Sequence, residues 1–387
     1  MDFRKQKLAQ LDRDGLRRRT EAWPETGAHV HAAGGHMLLN FSSNDYLGLA
    51  QDPHVKARAM AAVSQWGCGA TASRLMCGTL ALHEELEAAL AQLAGTEAAL
   101  VFSSGFGMNV GLVPALAGRG DVVFTDRLIH ASLVDGARLS GATVKRFTHN
   151  DASDLARLLG QTPCEGRRLI ITESVFSMDG DLAPLEKIHD LSRAHGASLL
   201  VDEAHAIGVW GRGGGMARML PAASRPDFMA GTLGKALGSL GGFIACTAES
   251  RDFLINCARS FIFATALPPA CLGAALGAVE RITQDPDMGG RLLKHAQFFH
   301  AWLMAEGVPL PAFASQIIPV PVGTNDAAVA MARRLRECGL LVAAVRPPTV
   351  PQGTARLRLS VTLSHSEADL EQAAVQIGAT FRKMEPR

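Results

Sequence analysis

The stretch around which this sequence is organised is Gly231-Thr232-Leu233-Gly234-Lys235-Ala236-Leu237-Gly238-Ser239-Leu240-Gly241-Gly242-Phe243. Lys235 lies there among glycines and aliphatic residues, whereas other lysines, such as Lys5 and Lys187, have charged or polar neighbours. A partly desolvated lysine loses proton affinity, so its neutral amine can attack a carbonyl and form a Schiff base. Glycines let other atoms approach the backbone closely. Taken alone, the stretch is equally compatible with a loop whose lysine reaches solvent.

Two motifs invite a nucleotide-binding interpretation. The phosphate loop reads Gly-x-x-x-x-Gly-Lys followed by Ser or Thr, but Met229 stands in place of its first glycine and Ala236 follows the lysine. The run Asp202-Glu203-Ala204-His205 spells the helicase box. Helicases need the phosphate loop that is missing here, and the chain has no evident nucleic-acid-binding face. Both interpretations therefore fail.

Composition limits the class of protein. The 387 residues, 48% of them hydrophobic, can bury a large core in two or three domains, or in one large α/β domain plus a smaller one. The net charge of +1 favours neither nucleic acid nor an anionic membrane. Seven cysteines without a Cys-x-x-Cys pair favour a reducing compartment and predict no metal site. The charged first residues predict no signal peptide, and prolines interrupt the apolar window 261–279, so we expect a cytoplasmic protein without a membrane span.

Apolar strand-like runs alternate with helical ones along the first 200 residues. Continuous apolar strands separated by helices predict a mostly parallel sheet that is covered on both faces. In such open sheets, ligands bind beyond the carboxyl ends of the strands. The strand-like runs are 98–102, 122–125, 144–147, 169–172 and 199–201, and a further one, 243–246, follows the stretch around Lys235. The helical runs include 155–159 and 185–195.

Reactive residue types follow three of these strands. The pairs are Asp126 and His130, Glu173 and Ser177, and Asp202 and His205. A single histidine or carboxylate in such a place is usually an ordinary polar residue. Their collection at one edge of the sheet indicates a functional site.

Glycine-rich and polar turns supply further candidates. Ser103–Asn109 follows a strand and leads into a helix, so its backbone N–H groups could hold a phosphate, although an ordinary turn fits equally. The glycine-rich loop 67–79 is not a dinucleotide fingerprint, since no strand precedes it. The polar turn 42–48 could line a cleft. Arg17 belongs to a basic run that fits a solvated end of a helix over residues 2–19.

A Schiff-base lysine, a strand-end carboxylate, a histidine and a phosphate cradle together match the needs of pyridoxal phosphate. Its ring nitrogen must stay protonated for the ring to withdraw electrons, so a buried carboxylate faces it. The sequence indeed resembles the α-oxoamine synthases, a group of fold-type I pyridoxal-phosphate enzymes, over nearly its whole length. The matching stretches are 40–49, 67–78, 103–109, 126–133, 173–184, 201–208, 232–243 and, most discriminating, 346–358.

The resemblance implies roles for residues around the pyridoxal 5'-phosphate ring. Lys235 would hold the cofactor and move protons at the substrate Cα, and Asp202 would pair with the ring nitrogen. His205 and Ser177 would bond the phenolic oxygen, and His130 would stack on the ring.

The resemblance also implies how the phosphate is bound. The backbone amides of Ser104, Gly105 and Phe106, together with Thr232, would hold it. Thr265 would reach over from a second subunit, which implies a homodimer with shared active sites.

For the substrates, the resemblance implies that Arg358 grips the amino-acid carboxylate, with Asn44 and Glu173 beside it. Arg17 would lie near the acyl donor, and Thr349 would be a further substrate-binding residue. Segment 346–358 is most like the branch of the group that serves biotin synthesis by condensing L-alanine with pimeloyl-CoA or pimeloyl-acyl carrier protein. A member using glycine and another acyl-CoA is the alternative. A non-catalytic pyridoxal-phosphate regulator would need a DNA-binding domain, and none is visible.

The expected fold is α/β of fold type I. It comprises an N-terminal helical arm over residues 1–40, a large cofactor domain over 41–271 with a mostly parallel, seven-stranded sheet, and a small α/β domain over 272–387. In the small domain, the sequence predicts helices over residues 291–303 and 367–383 and strands over 317–320 and 356–361.

Overall fold

The computed structural model describes residues 2–32 and 34–383; residues 1, 33 and 384–387, which fall in the predicted ranges 1–40 and 272–387, lie outside it. The helices of the described part are α1 (Phe3–Arg13), α2 (Pro53–Trp66), α3 (Ala81–Ala94), α4 (Gly105–Leu116), α5 (Ala131–Ser140), α6 (Ala152–Gln161), α7 (Leu185–Ala194), α8 (Ala248–Cys257), α9 (Arg259–Ile262), α10 (Pro269–Gln284), α11 (Met288–Ala305), α12 (Asn325–Glu337) and α13 (Glu367–Arg382). The strands are β1 (His29–His31), β2 (Met37–Asn40), β3 (Ala98–Phe102), β4 (Val122–Asp126), β5 (Thr143–Phe147), β6 (Arg168–Glu173), β7 (Ala197–Asp202), β8 (Phe228–Thr232), β9 (Gly242–Cys246), β10 (Ile317–Gly323), β11 (Leu340–Leu341), β12 (Ala343–Val345) and β13 (Ala355–Ser360).

The chain divides into two compact units. The larger unit contains residues 47–177 and 182–290, and the smaller unit contains residues 1–46, 178–181 and 291–387. This division differs from the predicted one both in residues 1–40, predicted as a separate arm, and in the predicted boundary after residue 271. Residues 272–290 join the larger unit because α10 packs closely on α2, where Gly273 leaves room for the backbone of Arg58. Residues 1–40 join the smaller unit because β2 pairs with β11.

The larger unit is built on the predicted seven-stranded sheet. Its strand order is β3-β9-β8-β7-β6-β4-β5. The strands β5, β4, β6, β7 and β8 are parallel, and β9 runs antiparallel to both β8 and β3. The prediction of a mostly parallel sheet is confirmed, although β8 was not among the strands that the sequence predicted.

Burial of whole strands explains why this sheet lies inside the unit. Every residue of β3, β4 and β9 is buried. Helices contribute Leu112, Leu133, Leu155 and Ile188 to the same core. Because both faces of the sheet are covered, polar side chains from adjacent strands can meet at the strand ends.

The smaller unit contains two three-stranded sheets, ordered β1-β2-β11 and β10-β13-β12. The strands predicted at 317–320 and 356–361 and the helices predicted at 291–303 and 367–383 are confirmed as β10, β13, α11 and α13. The predicted helix over residues 2–19 was too long, since α1 ends at Arg13. Gly15 then adopts a φ of +61°, a left-handed conformation that ends helices. Arg17 therefore lies beyond the helix.

The apolar window 261–279 forms parts of α9 and α10, separated by residues 263–268. None of the helices described for residues 2–32 and 34–383 combines the length and apolarity that a membrane crossing requires.

Candidate active site

The carboxyl ends of β6, β7 and β8 surround a cleft of about 170 Å³ in the larger unit. Glu173 is the last residue of β6, Asp202 the last of β7 and Thr232 the last of β8. Parallel strands bring these positions to one edge of the sheet. The candidate residues that line the cleft are Gly105, Phe106, His130, Glu173, Asp202, His205, Thr232 and Lys235.

Lys235 lies in the loop between β8 and β9, and its side chain enters the cleft. Its Nζ is 2.8 Å from Nε2 of His205. The loop turns sharply at Gly238, where a Cβ would lie 2.5 Å from the backbone nitrogen of Ala50. The alternative of a lysine that merely reaches solvent is therefore wrong. An amine and an imidazole in contact can exchange a proton.

Asp202 is held by two hydrogen bonds inside the cleft. Its Oδ1 accepts from the backbone N–H of Ala204 at 2.9 Å, and its Oδ2 accepts from Nδ2 of Asn109 at 2.9 Å. Asn109 also donates to Oγ of Ser132 at 3.0 Å. Asn109 was not among the site residues predicted from the sequence. A usable signal was present, since this amide interrupts the otherwise apolar helix α4 and a buried amide needs partners.

Glu173 is buried, with 3% of its surface exposed. Burial, together with the nearby charge of Asp202, raises the pKa of its carboxyl to about 8, even though the backbone N–H groups of His130 and Ser177 donate to it. At neutral pH this side chain is therefore mostly protonated and can donate a hydrogen bond.

The N-terminus of α4 and the hydroxyl of Thr232 form a second side of the cleft. Helix α4 begins at Gly105, so the N–H groups of Gly105 and Phe106 have no acceptor within the helix. A Cβ at Gly105 would lie 3.4 Å from Oγ1 of Thr232, which places this hydroxyl beside the helix N-terminus. Oγ1 of Thr232 itself donates to the carbonyl of Gly241 at 3.0 Å. A helix N-terminus that meets a hydroxyl suits a phosphate group.

His130 occupies the mouth of the cleft. It caps helix α5, and its Nδ1 lies 2.8 Å from Oγ of Ser132. Its ring contacts the half-exposed ring of Phe106 edge to face, with centroids 6.3 Å apart. A planar ligand in the cleft would meet both rings.

Three predicted cofactor residues are not among those that line the cleft. Ser104 caps helix α4, and its Oγ accepts from the backbone N–H of Gly107 at 3.0 Å. Ser177 is buried, and its backbone N–H donates to Glu173. Thr265 is exposed, and its carbonyl accepts a hydrogen bond of 3.1 Å from Oγ of Ser103. The predicted contact of Thr265 with a second subunit stays a prediction.

In the smaller unit, Arg358 lies on β13 with 6% of its surface exposed. Its guanidinium donates to Oδ1 of Asn44 at 3.0 Å, to Oγ of Ser360 at 2.6 Å and to the hydroxyl of Tyr46 at 3.2 Å. Burial raises the pKa of Tyr46, so its hydroxyl stays neutral. Two predicted substrate residues, Arg358 and Asn44, are thus in contact.

The other two predicted substrate residues do not meet each other in the hydrogen bonds described. Arg17 forms an ion pair of 2.8 Å with Asp12. Thr349 is exposed, and its Oγ1 lies 3.4 Å from Nη2 of Arg18. Arg18, the neighbour of Arg17, is thus the arginine that contacts Thr349. No group of three or more His, Cys, Asp or Glu side chains within 2–32 and 34–383 is arranged to bind a metal ion.

Comparison with known families gives a match to the class I and II aminotransferases over residues 36–377. An 8-amino-7-oxononanoate synthase of Geobacter sulfurreducens is 48% identical over 383 residues, which are 97% of each chain. The 8-amino-7-oxononanoate synthase of Trichlorobacter lovleyi is 45% identical over 382 residues, which are 98% of this chain and 97% of that protein. The chain belongs to the class I and II aminotransferases, and within them to the α-oxoamine synthases. The family predicted from the sequence is confirmed.

Solved structures of α-oxoamine synthases have the same fold. Serine palmitoyltransferase from S. paucimobilis superimposes with a TM-score of 0.92 at 31% identity, over 99% of this chain and 97% of its own. The 8-amino-7-oxononanoate synthase from Francisella tularensis has a TM-score of 0.75 at 28% identity, over 89% of this chain and 98% of its own. The predicted fold type I is confirmed for this α-oxoamine synthase.

Proposed function

We propose that this α-oxoamine synthase is an 8-amino-7-oxononanoate synthase of biotin biosynthesis. The reaction condenses L-alanine with a pimeloyl thioester, carried by CoA or acyl carrier protein, and releases CO₂ and the free thiol. The observation that carries the proposal is an identity of 44–48% with proteins of that name over 90–100% of this chain.

The cleft fits pyridoxal 5'-phosphate. Oδ1 of Asn109 and Oε1 of Glu173 are buried there without a hydrogen-bond partner among the described residues, which leaves polar atoms for a ligand to satisfy. The N–H groups of Gly105 and Phe106, with Thr232 beside them, would hold the phosphate. When bound, this cofactor supplies an aldehyde that combines with amines and a protonated ring that withdraws electrons from the amino-acid Cα.

Lys235 is the amine that would hold the cofactor. Its contact with His205 supports this role, because the imidazole holds Nζ inside the cleft, and a partly desolvated amine is more readily neutral and nucleophilic. When it is not attached to the cofactor, the same amine would be the base that removes the Cα proton of alanine and the acid that later returns one. His205 and Ser177 would then face the phenolic oxygen, and His130 would cover the ring.

Asp202 would stabilise the protonated ring nitrogen. A carboxylate near a pyridinium favours its charged form, and two hydrogen bonds hold Asp202 in place for that contact. Glu173, protonated at neutral pH, would assist by donating a hydrogen bond beside the substrate.

Arg358 would bind the alanine carboxylate, since a planar guanidinium binds carboxylates bidentately. Asn44, which already accepts from it, would orient it. Arg17 would contact the acyl donor, Thr349 would be a further substrate contact, and Thr265 of a second copy would complete the phosphate site in a homodimer.

The assay that tests the proposal is CO₂ release from alanine, glycine or serine, each with pimeloyl-CoA, acetyl-CoA, succinyl-CoA or palmitoyl-CoA. We expect alanine with pimeloyl-CoA to have the highest kcat/KM. Preference for glycine with a short acyl-CoA would favour the glycine-using alternative. Preference for serine with palmitoyl-CoA would favour the activity named for the structural neighbours, which superimpose with TM-scores up to 0.93.

A further inference from the structure

A second cleft in the larger unit, of about 900 Å³, lies between α3, α10 and the loop 211–225. Its lining contains three arginines, Arg212, Arg218 and Arg225. None of the three has a carboxylate within ion-pair distance in the part of the chain that the structure describes. The volume is in the range that holds a small organic ligand.

The one acidic residue of this lining is Glu280, and its carboxylate is already engaged. It lies 2.6 Å from Nε2 of His54 and 3.1 Å from Nη2 of Arg58. The three guanidiniums are therefore not neutralised from within the cleft. Arg218 and Arg225 both lie against Gly95, so these two cations are close together; burial and the neighbouring charge of Arg218 lower the pKa of Arg225.

The backbone holds Arg218 and Arg225 at fixed places. Nη1 of Arg225 donates to the carbonyl of Gly95 at 2.8 Å. Gly95 is the residue directly after α3. The guanidinium of Arg218 lies against the same glycine, where a Cβ would come within 1.7 Å of its Nη1. The stem of Arg218 crosses Gly211 and Gly214, each of which would contact it at 3.0 Å if it carried a Cβ.

Arg212 adds a strained element to the same loop. Its φ is +58°, in the left-handed region that residues other than glycine rarely adopt. Strain of this kind persists where the surroundings impose it, and it concentrates at ligand-binding and switch segments.

We propose that this cleft binds a small organic polyanion, whose phosphate or carboxylate groups would pair with Arg212, Arg218 and Arg225. Planar guanidiniums suit both groups because they donate two parallel hydrogen bonds. Bringing an anion between Arg218 and Arg225 also removes their mutual repulsion. The amides of Gln92 and Gln284, which line the cleft, can contact the uncharged part of the ligand.

The loop 211–225 is connected to the candidate active-site cleft by hydrogen bonds to Glu203, the residue after Asp202. Glu203 is fully buried, and its carboxylate accepts from the backbone N–H of Ala217 at 2.7 Å and of Met216 at 3.0 Å. A shift of Arg218 would therefore pull on the end of β7 that carries Asp202. Binding of the polyanion is expected to change the cofactor affinity or its absorbance.

Isothermal titration of the holoenzyme with inorganic pyrophosphate, ADP and citrate tests the proposal and separates the phosphate from the carboxylate ligands. We expect at least one probe to bind, and Arg218→Gln to weaken that binding at least about tenfold. Arg212→Gln replaces an exposed side chain and should weaken the binding of the probe similarly. This second variant keeps the test decisive if Arg218→Gln does not fold. Arg157→Gln, which removes an exposed arginine of α6, should leave the Kd unchanged.

The proposal is overturned if no probe binds at millimolar concentration, or if Arg212→Gln and Arg218→Gln bind as the wild type does. An equal loss in Arg157→Gln would mean that binding follows overall charge, which also overturns it. These titrations measure binding at the second cleft and not turnover. Their outcome therefore does not depend on which thioester and amino acid the enzyme prefers.

Discussion

The side-chain amide of Asn109 donates a hydrogen bond of 2.9 Å to the carboxylate of Asp202, 93 positions later in the sequence. Asn109 is 3% exposed and Asp202 6% exposed, so water does not compete effectively for this bond. A donor to a carboxylate favours its charged form. Asn109 thus acts as a positioning residue, since it orients the group proposed to face the ring nitrogen.

Replacing Asn109 tests that role. Asn109→Ala should lower kcat/KM about tenfold to a hundredfold, because a hydrogen bond to a charged group is worth about 1.5–3 kcal/mol. The cofactor absorbance should also titrate at a lower pH, because ring protonation is less favourable; a merely structural role would not shift it. The matched control is Asn256→Ala on α8, where the amide is exposed and bonds to the carbonyl of Asp252.

Lys235→Ala should keep the fold and lose turnover by several orders of magnitude, since the variant loses both a nucleophile and a base. The wild-type protein with bound pyridoxal phosphate should be yellow. Borohydride should abolish the visible absorbance band of the cofactor and leave the reduced cofactor attached to Lys235 as a covalent label. Peptide mapping by mass spectrometry checks this. A label on any other lysine would contradict the assignment, and Lys187→Ala serves as the control.

Glu173 should make the cofactor-free protein less stable as pH rises. Its pKa is about 8 in the folded state against an ordinary value of 4.5, so between these values the folded state keeps a proton that the unfolded state has released. The free energy of unfolding therefore falls across that window and levels off above it. Glu173→Gln should reduce this fall by more than about 1 kcal/mol.

Urea denaturation at about pH 5 and about pH 8 measures the difference. The control is Glu84→Gln, on an exposed side chain of α3, which should leave the pH dependence as in the wild type. An unchanged pH dependence in Glu173→Gln would show that the buried carboxyl is already ionised.

Arg358→Lys should raise the KM for alanine by about a hundredfold, the scale of a buried charged pair broken on one side. A lysine cannot reproduce the bidentate geometry or the contacts that the guanidinium makes with Asn44, Tyr46 and Ser360. The KM for the thioester should change much less. Steady-state kinetics with each substrate varied in turn separates the two effects, with Arg333→Lys on α12 as an exposed control.

The sequence by itself determined the family, the mostly parallel sheet and most of the residues that line the candidate active-site cleft. Continuous apolar runs predict buried strands, and parallel strands place the residues that follow them at one edge. Glu173, Asp202 and His205 could therefore be selected by position and residue type alone. The loop around Lys235 could be selected because a lysine among glycines is chemically unusual.

Only the tertiary structure decided which side chains meet across long stretches of chain. Asn109 reaches Asp202, and Arg18 rather than Arg17 reaches Thr349, while Arg17 pairs with Asp12. The unit boundary after residue 290 likewise follows from the packing of α10 on α2. Residue type and spacing are local properties, whereas contacts between distant segments depend on how whole elements pack.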